Sequence, residues 1–238
     1  MKRLLIDIGN TRLKWAVAED EQRGPAHAVA HQGQFGGVLE SIPRIGIRAI
    51  HVASVFNEDD NRQLAASLDA RFGCAPRFAR VLAERNGLRV AYAQPRRLGI
   101  DRWLMMQCLW REARSAFAVV SAGTALTVDL VDAEGQHLGG YIAPGLAAMQ
   151  RAVLGSTRFE HSAAGDPAEP VPGTSTESCV RNAALCSALG LIERSTQQHP
   201  GRKLISGGDG ATLLRFLDQQ WKVREDLVLD ALTAPDLV

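Results

Sequence analysis

One carboxylate closes the first apolar run of the chain. Leu4-Leu5-Ile6-Asp7-Ile8 leads into Gly9-Asn10-Thr11, and an alternating run follows with Leu13, Trp15 and Val17 on one side. The pattern predicts strand, tight turn, strand. Gly9 and Asn10 tolerate positive φ, so the turn can be very short. Such a turn presents backbone N–H groups to a phosphate. Asp7 at its mouth can hold a Mg²⁺, directly or through water. The alternative is an ordinary hairpin, in which Asn and Gly serve only the turn. No Gly-Lys-Ser/Thr precedes a helix here, so this is not a Walker loop.

The same order of residue types returns near the middle of the 238-residue chain. Ala118-Val119-Val120-Ser121-Ala122-Gly123-Thr124 is again an apolar run, a small polar residue and a Gly-Thr turn. Alternation resumes from Ala125 to Val131, so that Asp7 aligns with Ser121 and Gly9 with Gly123. A third glycine turn, Ser206-Gly207-Gly208-Asp209-Gly210, joins a strand to a helix. Between the two hairpins, Leu98-Gly99 ends a loop and Asp101-Arg102 opens a helix. By itself this is an ordinary helix start, since acidic residues favour helix N-termini and an adjacent Arg is often a surface charge.

Two phosphate hairpins and a later glycine turn resemble the acetate and sugar kinase, Hsp70 and actin superfamily. The resemblance implies an α/β fold of two ribonuclease-H-like (actin-like ATPase) domains, here residues 1–115 and 116–238, with ATP in a cleft between them. Within that superfamily, Tyr92-x-x-Pro95-x-x-Leu98-Gly99-x-Asp101-Arg102 is similar to a motif of the type III pantothenate kinases. So are Gly139-Gly140-Tyr141-Ile142-Ala143-Pro144-Gly145 and Thr174 in its run of hydroxyl residues. Five short motifs in one order, from Asp7 to Gly208, are far more specific than any single glycine turn.

What this resemblance implies is concrete. The activity would be ATP-dependent phosphorylation of pantothenate to 4'-phosphopantothenate, the first step of coenzyme A biosynthesis. Asp7, Ile8, Gly9, Asn10, Thr11, Arg12, Leu13 and Lys14 would form the first ATP loop, with Asp7 near Mg²⁺. Thr124 would meet ATP from the second loop. Tyr92, Gly99, Ile100, Asp101 and Arg102 would line the pantothenate pocket, with Asp101 as catalytic base. Thr174 would reach the pantothenate of the partner chain in a homodimer. Many relatives carry Asp-x-Gly-Thr and use that Asp to help hold K⁺ or NH₄⁺; Ser121 stands there in this chain, so a monovalent cation site would be weakened or absent. Two other readings stay open on the same fold: a kinase of another small hydroxylated substrate, and a regulatory protein with little or no turnover.

The elements that must position these residues follow from periodicity. Strands are expected near 26–32 and over Ala49–Val55, and a short helix near Val38–Ile42. A helix over Asn57–Phe72 carries Leu64, Leu68 and Phe72 at spacing four and is capped by Asn57 or Asp59. Gly73–Leu98, rich in Arg and punctuated by Pro76, Gly87 and Pro95, reads as a linker. Helices follow at Ile100–Ala113 and Leu146–Leu154. A turn is expected over Gly33–Gly37 and a loop over 160–173. Thr174 to Glu177 has capping-box spacing, and the small-residue helix beyond it to Ser195 suits close packing within the domain or across a dimer. The chain closes with a strand at Lys203–Ser206, a helix at Ala211–Leu217, and a last strand and helix.

Composition narrows the partners. Hydrophobic residues make up 46% and charged residues 22%, which supports a packed core and argues against disorder. A formal net charge of +1 gives no electrostatic case for nucleic acid. Met1-Lys2-Arg3 followed by Leu4-Leu5-Ile6 imitates the start of a signal peptide, but Asp7 ends the apolar run. No stretch is long enough to span a bilayer, and the reading is a cytoplasmic protein without membrane partners. Cys74, Cys108, Cys179 and Cys186 show no metal spacing and read as buried small apolar residues. His27 and His31 lie on a strand with no third ligand near.

Overall fold

The computed structural model describes residues 1–31, 36–44, 46–155 and 168–238. They form two compact units: Met1–Ala113 together with Asp226–Val238, and Arg114–Glu225. Most of the turn expected from Gly33 and the first part of the loop expected from 160 lie outside the described residues.

The first unit opens with β1 (Lys2–Ile8), β2 (Arg12–Glu19), β3 (Gln22–Arg23), β4 (His27–Ala30), α1 (Gly36–Glu40), β5 (Ala49–Ser54) and α2 (Glu58–Phe72). It continues through β6 (Pro76–Phe78), β7 (Glu84–Arg85), β8 (Leu88–Arg89) and α3 (Ile100–Glu112). Among the described residues six strands make one sheet in the order β3-β2-β1-β5-β6, with β4 also on β2. β1 is antiparallel to β2 and parallel to β5. It is central and buried on both faces, so its apolar run is nearly unbroken: Leu4, Leu5, Ile6 and Ile8 expose nothing. The Asn57 side chain caps α2, accepting from the N–H groups of Asp59 (2.9 Å) and Asp60 (3.0 Å). Gly73 ends the helix in the left-handed conformation, φ 70°.

The stretch expected as a linker is not one. β6 adds to the main sheet, parallel to β5. β7 and β8 form a hairpin whose turn, Asn86-Gly87, has both residues at positive φ. The side chains of Gln107 and Trp110 on α3 donate to the carbonyls of Arg85 and Asn86 and fix that turn to the helix.

The second unit contains β9 (Phe117–Ala122), β10 (Ala125–Val131), β11 (His137–Pro144), α4 (Leu146–Leu154), α5 (Thr176–Thr196), β12 (Arg202–Ser206), α6 (Gly210–Leu214) and β13 (Trp221–Val223). Its sheet runs β11-β10-β9-β12-β13. The pairing of its first strand repeats that of the first unit: β9 is antiparallel to β10 and parallel to β12, as β1 is to β2 and to β5. The α5 capping box is built by Ser175 and Ser178, one residue later than the sequence spacing suggests. The Ser178 hydroxyl replaces the longer Glu177 carboxylate because it stands at the third helical position. α6 ends three residues earlier than expected.

The last element, α7 (Leu227–Leu232), returns to the first unit, where Leu227, Leu229 and Leu232 are buried. The expected boundary kept 226–238 with the second half. Packing of α7 against α3, β1 and β5 draws the segment back instead. The cysteines also depart from expectation: Cys108 is buried and Cys74 half-buried, but Cys179 and Cys186 lie exposed on α5. No described helix is long and apolar enough to cross a membrane.

Candidate active site

The hairpin between β1 and β2 is held from inside. The Gly9 N–H donates to the Arg12 carbonyl (3.0 Å) and closes the turn. His31, almost fully buried, braces both sides: its N–H donates to the Thr11 carbonyl (3.3 Å), and its Nε2 lies 2.9 Å from the Gly9 carbonyl. Asn10, Thr11 and Arg12 are exposed. Ile8 and Leu13 have no exposed surface, so the open part of the hairpin is the turn between them. His27, the other histidine of the pair, stacks on Trp15 at 4.2 Å between ring centroids.

Asp7 sits opposite Lys14 in the β1–β2 ladder. Among the described residues its carboxylate accepts no hydrogen bond and forms no ion pair. Its pKa is pushed up to about 7, first by burial and then by the charges of Asp101 and Asp226, against the opposing pull of Lys14. The Lys14 ammonium instead binds Asp226 Oδ1 at 2.8 Å. The structure thus gathers Asp7, Lys14 and Asp101 with a fourth residue, Asp226, that sequence reading missed. A lone carboxylate before an apolar run gives little local sign that it will meet Lys14, 212 residues away. A half-buried carboxylate without a hydrogen-bonded partner is suited to a hard divalent cation that takes its other ligands from phosphate and water, and Asp7 fits Mg²⁺ on these grounds.

The start of α3 supplies the other expected group. Asp101 lies in the first helical turn after Gly99. A Cβ on Gly99 would come within 2.6 Å of Asp101 Oδ1, so the carboxylate occupies space left by the missing side chain. Arg102 is buried; it donates to the Tyr92 hydroxyl (3.0 Å) and its guanidinium stands over the Tyr92 ring (5.9 Å). Ile100 is buried in the helix start.

In the second unit, three glycine turns pack together. The Gly145 N–H donates to the Thr124 carbonyl (3.1 Å), and a Cβ on Gly145 would collide with the Gly123 carbonyl. Gly207, at φ 93°, lies against the backbone of Ala122. Thr124 is exposed at the hairpin tip. Ser121 is paired with Thr127 on β10 and with Ser206 on β12. Thr174 is exposed just before α5, its N–H donating to Ser178 Oγ (3.0 Å). A cavity of about 600 Å³ elsewhere in this unit, with Arg194, Lys203, Asp218 and Trp221 in its wall, contains none of the expected site residues.

A sequence profile described as type III pantothenate kinase matches residues 3–198. The chain belongs to this family. The type III pantothenate kinase of Cellvibrio japonicus is 37% identical over 246 residues, covering 99% of this chain and 93% of its own. The one from Acinetobacter baumannii strain ATCC 17978 is 33% identical over 237 residues, covering 98% and 96%. Among solved structures, one from Campylobacter jejuni described as a Baf family transcriptional activator superposes with a TM-score of 0.64 at 20% identity, covering 96% and 94%. At that identity the likeness speaks to the fold alone: two α/β units of the actin-like ATPase type.

Proposed function

We propose that this protein is a pantothenate kinase, transferring the γ-phosphoryl group of ATP to the primary alcohol of pantothenate to give 4'-phosphopantothenate, the entry to coenzyme A, in the cytoplasm. The observation that carries the reading is the pairing of two carboxylates in one unit. Asp7 and Asp101 belong to the same unit, and the charge of Asp101 helps to raise the Asp7 pKa; this supports reading Asp101 as the alcohol-side group and Asp7 as the phosphate-side group. Phosphoryl transfer asks chiefly for positioning and charge neutralisation. The turn from Gly9 to Arg12 offers backbone donors to the phosphates, and Thr124 does so from the second hairpin. Asp7 would hold Mg²⁺, which when bound neutralises phosphate charge. Asp101 orients the hydroxyl and takes its proton as the new O–P bond forms and the bond to ADP breaks. Arg102, steadied by Tyr92, is the cation for the pantothenate carboxylate. A coupled ADP-release assay with pantothenate against a panel of sugars tests the reading. Turnover with a sugar alone, or with nothing, would overturn it.

Two further parts belong to this proposal. Ser121 offers a neutral hydroxyl where a carboxylate would add charge, so activation by K⁺ or NH₄⁺ should be shallow and Ser121→Asp should lower the half-saturating concentration. A KCl titration at constant ionic strength reads this; steep activation at low K⁺ would refute it. The second is a homodimer. β11 is an edge strand with Leu138, Tyr141 and Ile142 each at least half exposed. The neighbouring α4 buries none of its residues. An apolar edge of this kind is covered in a stable protein, and a second copy would cover it.

A further inference from the structure

Asp7 and Lys14 are direct neighbours across the β1–β2 ladder. Side chains so placed share a face with Cβ atoms about 5 Å apart, and a lysine stem easily spans that gap. An ion pair between them is the default. It does not form: the Lys14 ammonium is taken by Asp226, and the Asp7 carboxylate is left without a hydrogen-bonded partner among the described residues.

Two features fix Asp226 in this role. Its backbone is left-handed, φ 55° and ψ 31°, a conformation that Asp, Asn and Gly adopt more readily than other residues. It is also the residue from which α7 departs, and α7 is anchored by buried leucines and by the Arg23–Asp230 ion pair at 2.6 Å. The Asp226 carboxylate is therefore delivered by rigid elements, at one-sixth exposure, to an ammonium whose stem starts on a central strand.

We propose that Asp226 is a positioning residue: by holding the Lys14 ammonium it keeps the Asp7 carboxylate open for Mg²⁺. The inference rests on the kinase reading above. Without Asp226, Lys14 would turn to Asp7, and a metal would have to displace it. A divalent cation needs the carboxylate oxygens that the ammonium would then occupy.

The test compares ADP binding by calorimetry with Mg²⁺ and with EDTA. The ratio of the two dissociation constants reads the metal's share. Asp226→Gly keeps the left-handed backbone and removes the carboxylate. It should cut that ratio roughly tenfold, the scale of a competing charge at a few ångströms, while leaving metal-free ADP binding nearly unchanged. Asp226→Asn, which also tolerates the backbone, should act in the same direction and guards against a folding defect in the glycine variant. In a Lys14→Met background, Asp226→Gly should have little further effect on the ratio, because no ammonium remains to collapse. A ratio that stays within twofold of the parent in both variants would overturn the proposal. So would a tenfold fall that persists without Lys14, since Asp226 would then act through its own charge, and so would a parent ratio near one. A parent protein that binds ADP and phosphorylates pantothenate keeps the kinase reading standing whichever way the ratio goes.

Discussion

Gly99 leaves the space that the Asp101 carboxylate fills, and this separates chemistry from stability at one residue. Its backbone, φ −59° and ψ 135°, is open to any amino acid. The atom that an added Cβ would meet is the far end of a side chain, 2.6 Å away, not backbone. Gly99→Ala should therefore swing Asp101 aside, lowering kcat by about tenfold or more, the scale of a misplaced catalytic group. The melting temperature should hold or rise, because an alanine that fits the native backbone restricts the unfolded chain. Asp101→Asn should lower kcat by roughly 10²-fold or more. Undiminished kcat in either variant would remove Asp101 from the reaction. Asp7 makes a second residue-scale prediction. Its folded pKa is raised to about 7, so between about pH 4 and pH 7 the folded state binds more protons than the unfolded one, and stability falls as pH rises through that window. Asp7→Asn should be more stable than the parent at pH 8, by a few kcal/mol at most, with about 4 as the ceiling for this partly exposed group. The gain should vanish below about pH 4. His51 works in the opposite sense, because burial lowers its pKa and its contribution is lost as pH falls below about 6.5. Subtracting parent from variant cancels it. Urea unfolding in metal-free buffer at pH 4, 6 and 8 measures the difference; equal stability at pH 8 would contradict the assignment.

The two hairpin elements were legible in the sequence because a strand pattern of period two, broken by Gly-Asn or Gly-Thr, has few other solutions. α2 was legible to within one residue because leucines recur at spacing four, but the choice between Asn57 and Asp59 as its cap was settled only by the structure, in favour of Asn57. β6, β7 and β8 were not. Each is two or three residues long, too short for a period, and each is a strand only because β5 or its hairpin partner supplies hydrogen bonds. The convergence of glycine turns in the second unit was hidden for the same reason: Gly145 ends one motif and Gly123 opens another, and only folding brings them together. That contact yields a prediction opposite in kind to Gly99. A Cβ on Gly145 would meet the Gly123 carbonyl, which is backbone and belongs to the turn proposed above to meet phosphate. Gly145→Ala should cost about 1–3 kcal/mol, the range for overpacking, and should also weaken ADP binding because the turn must shift. Urea unfolding and calorimetry would detect both; an alanine variant with parental stability and affinity would refute the close packing.

Taken whole, the molecule repeats one topology in two units and then sends its last thirteen residues back to the first. The repeat could be read from the aligned hairpins. The return could not, because Lys14 and Asp226 carry no local sign of each other. Assembly is the remaining question at this scale, and it bears on which residues complete a site. The apolar edge of the second unit argues for a second copy. A shared site adds that Thr174, exposed before α5, serves the partner's pantothenate. Thr174→Glu places a negative charge where the substrate carboxylate would come, at little folding cost for an exposed residue. The Thr174→Glu and Asp101→Asn proteins should each be nearly inactive alone. Mixed and allowed to exchange subunits, they form heterodimers in which one site draws Asp101 from one chain and an intact Thr174 from the other, while the second site has neither. With random exchange half the dimers are mixed, so roughly a quarter of the parental site count should return, as closed two-fold symmetry requires. Light scattering that finds an active monomer, or a mixture of dimers that stays inactive after exchange is verified, would show that each chain completes its own site.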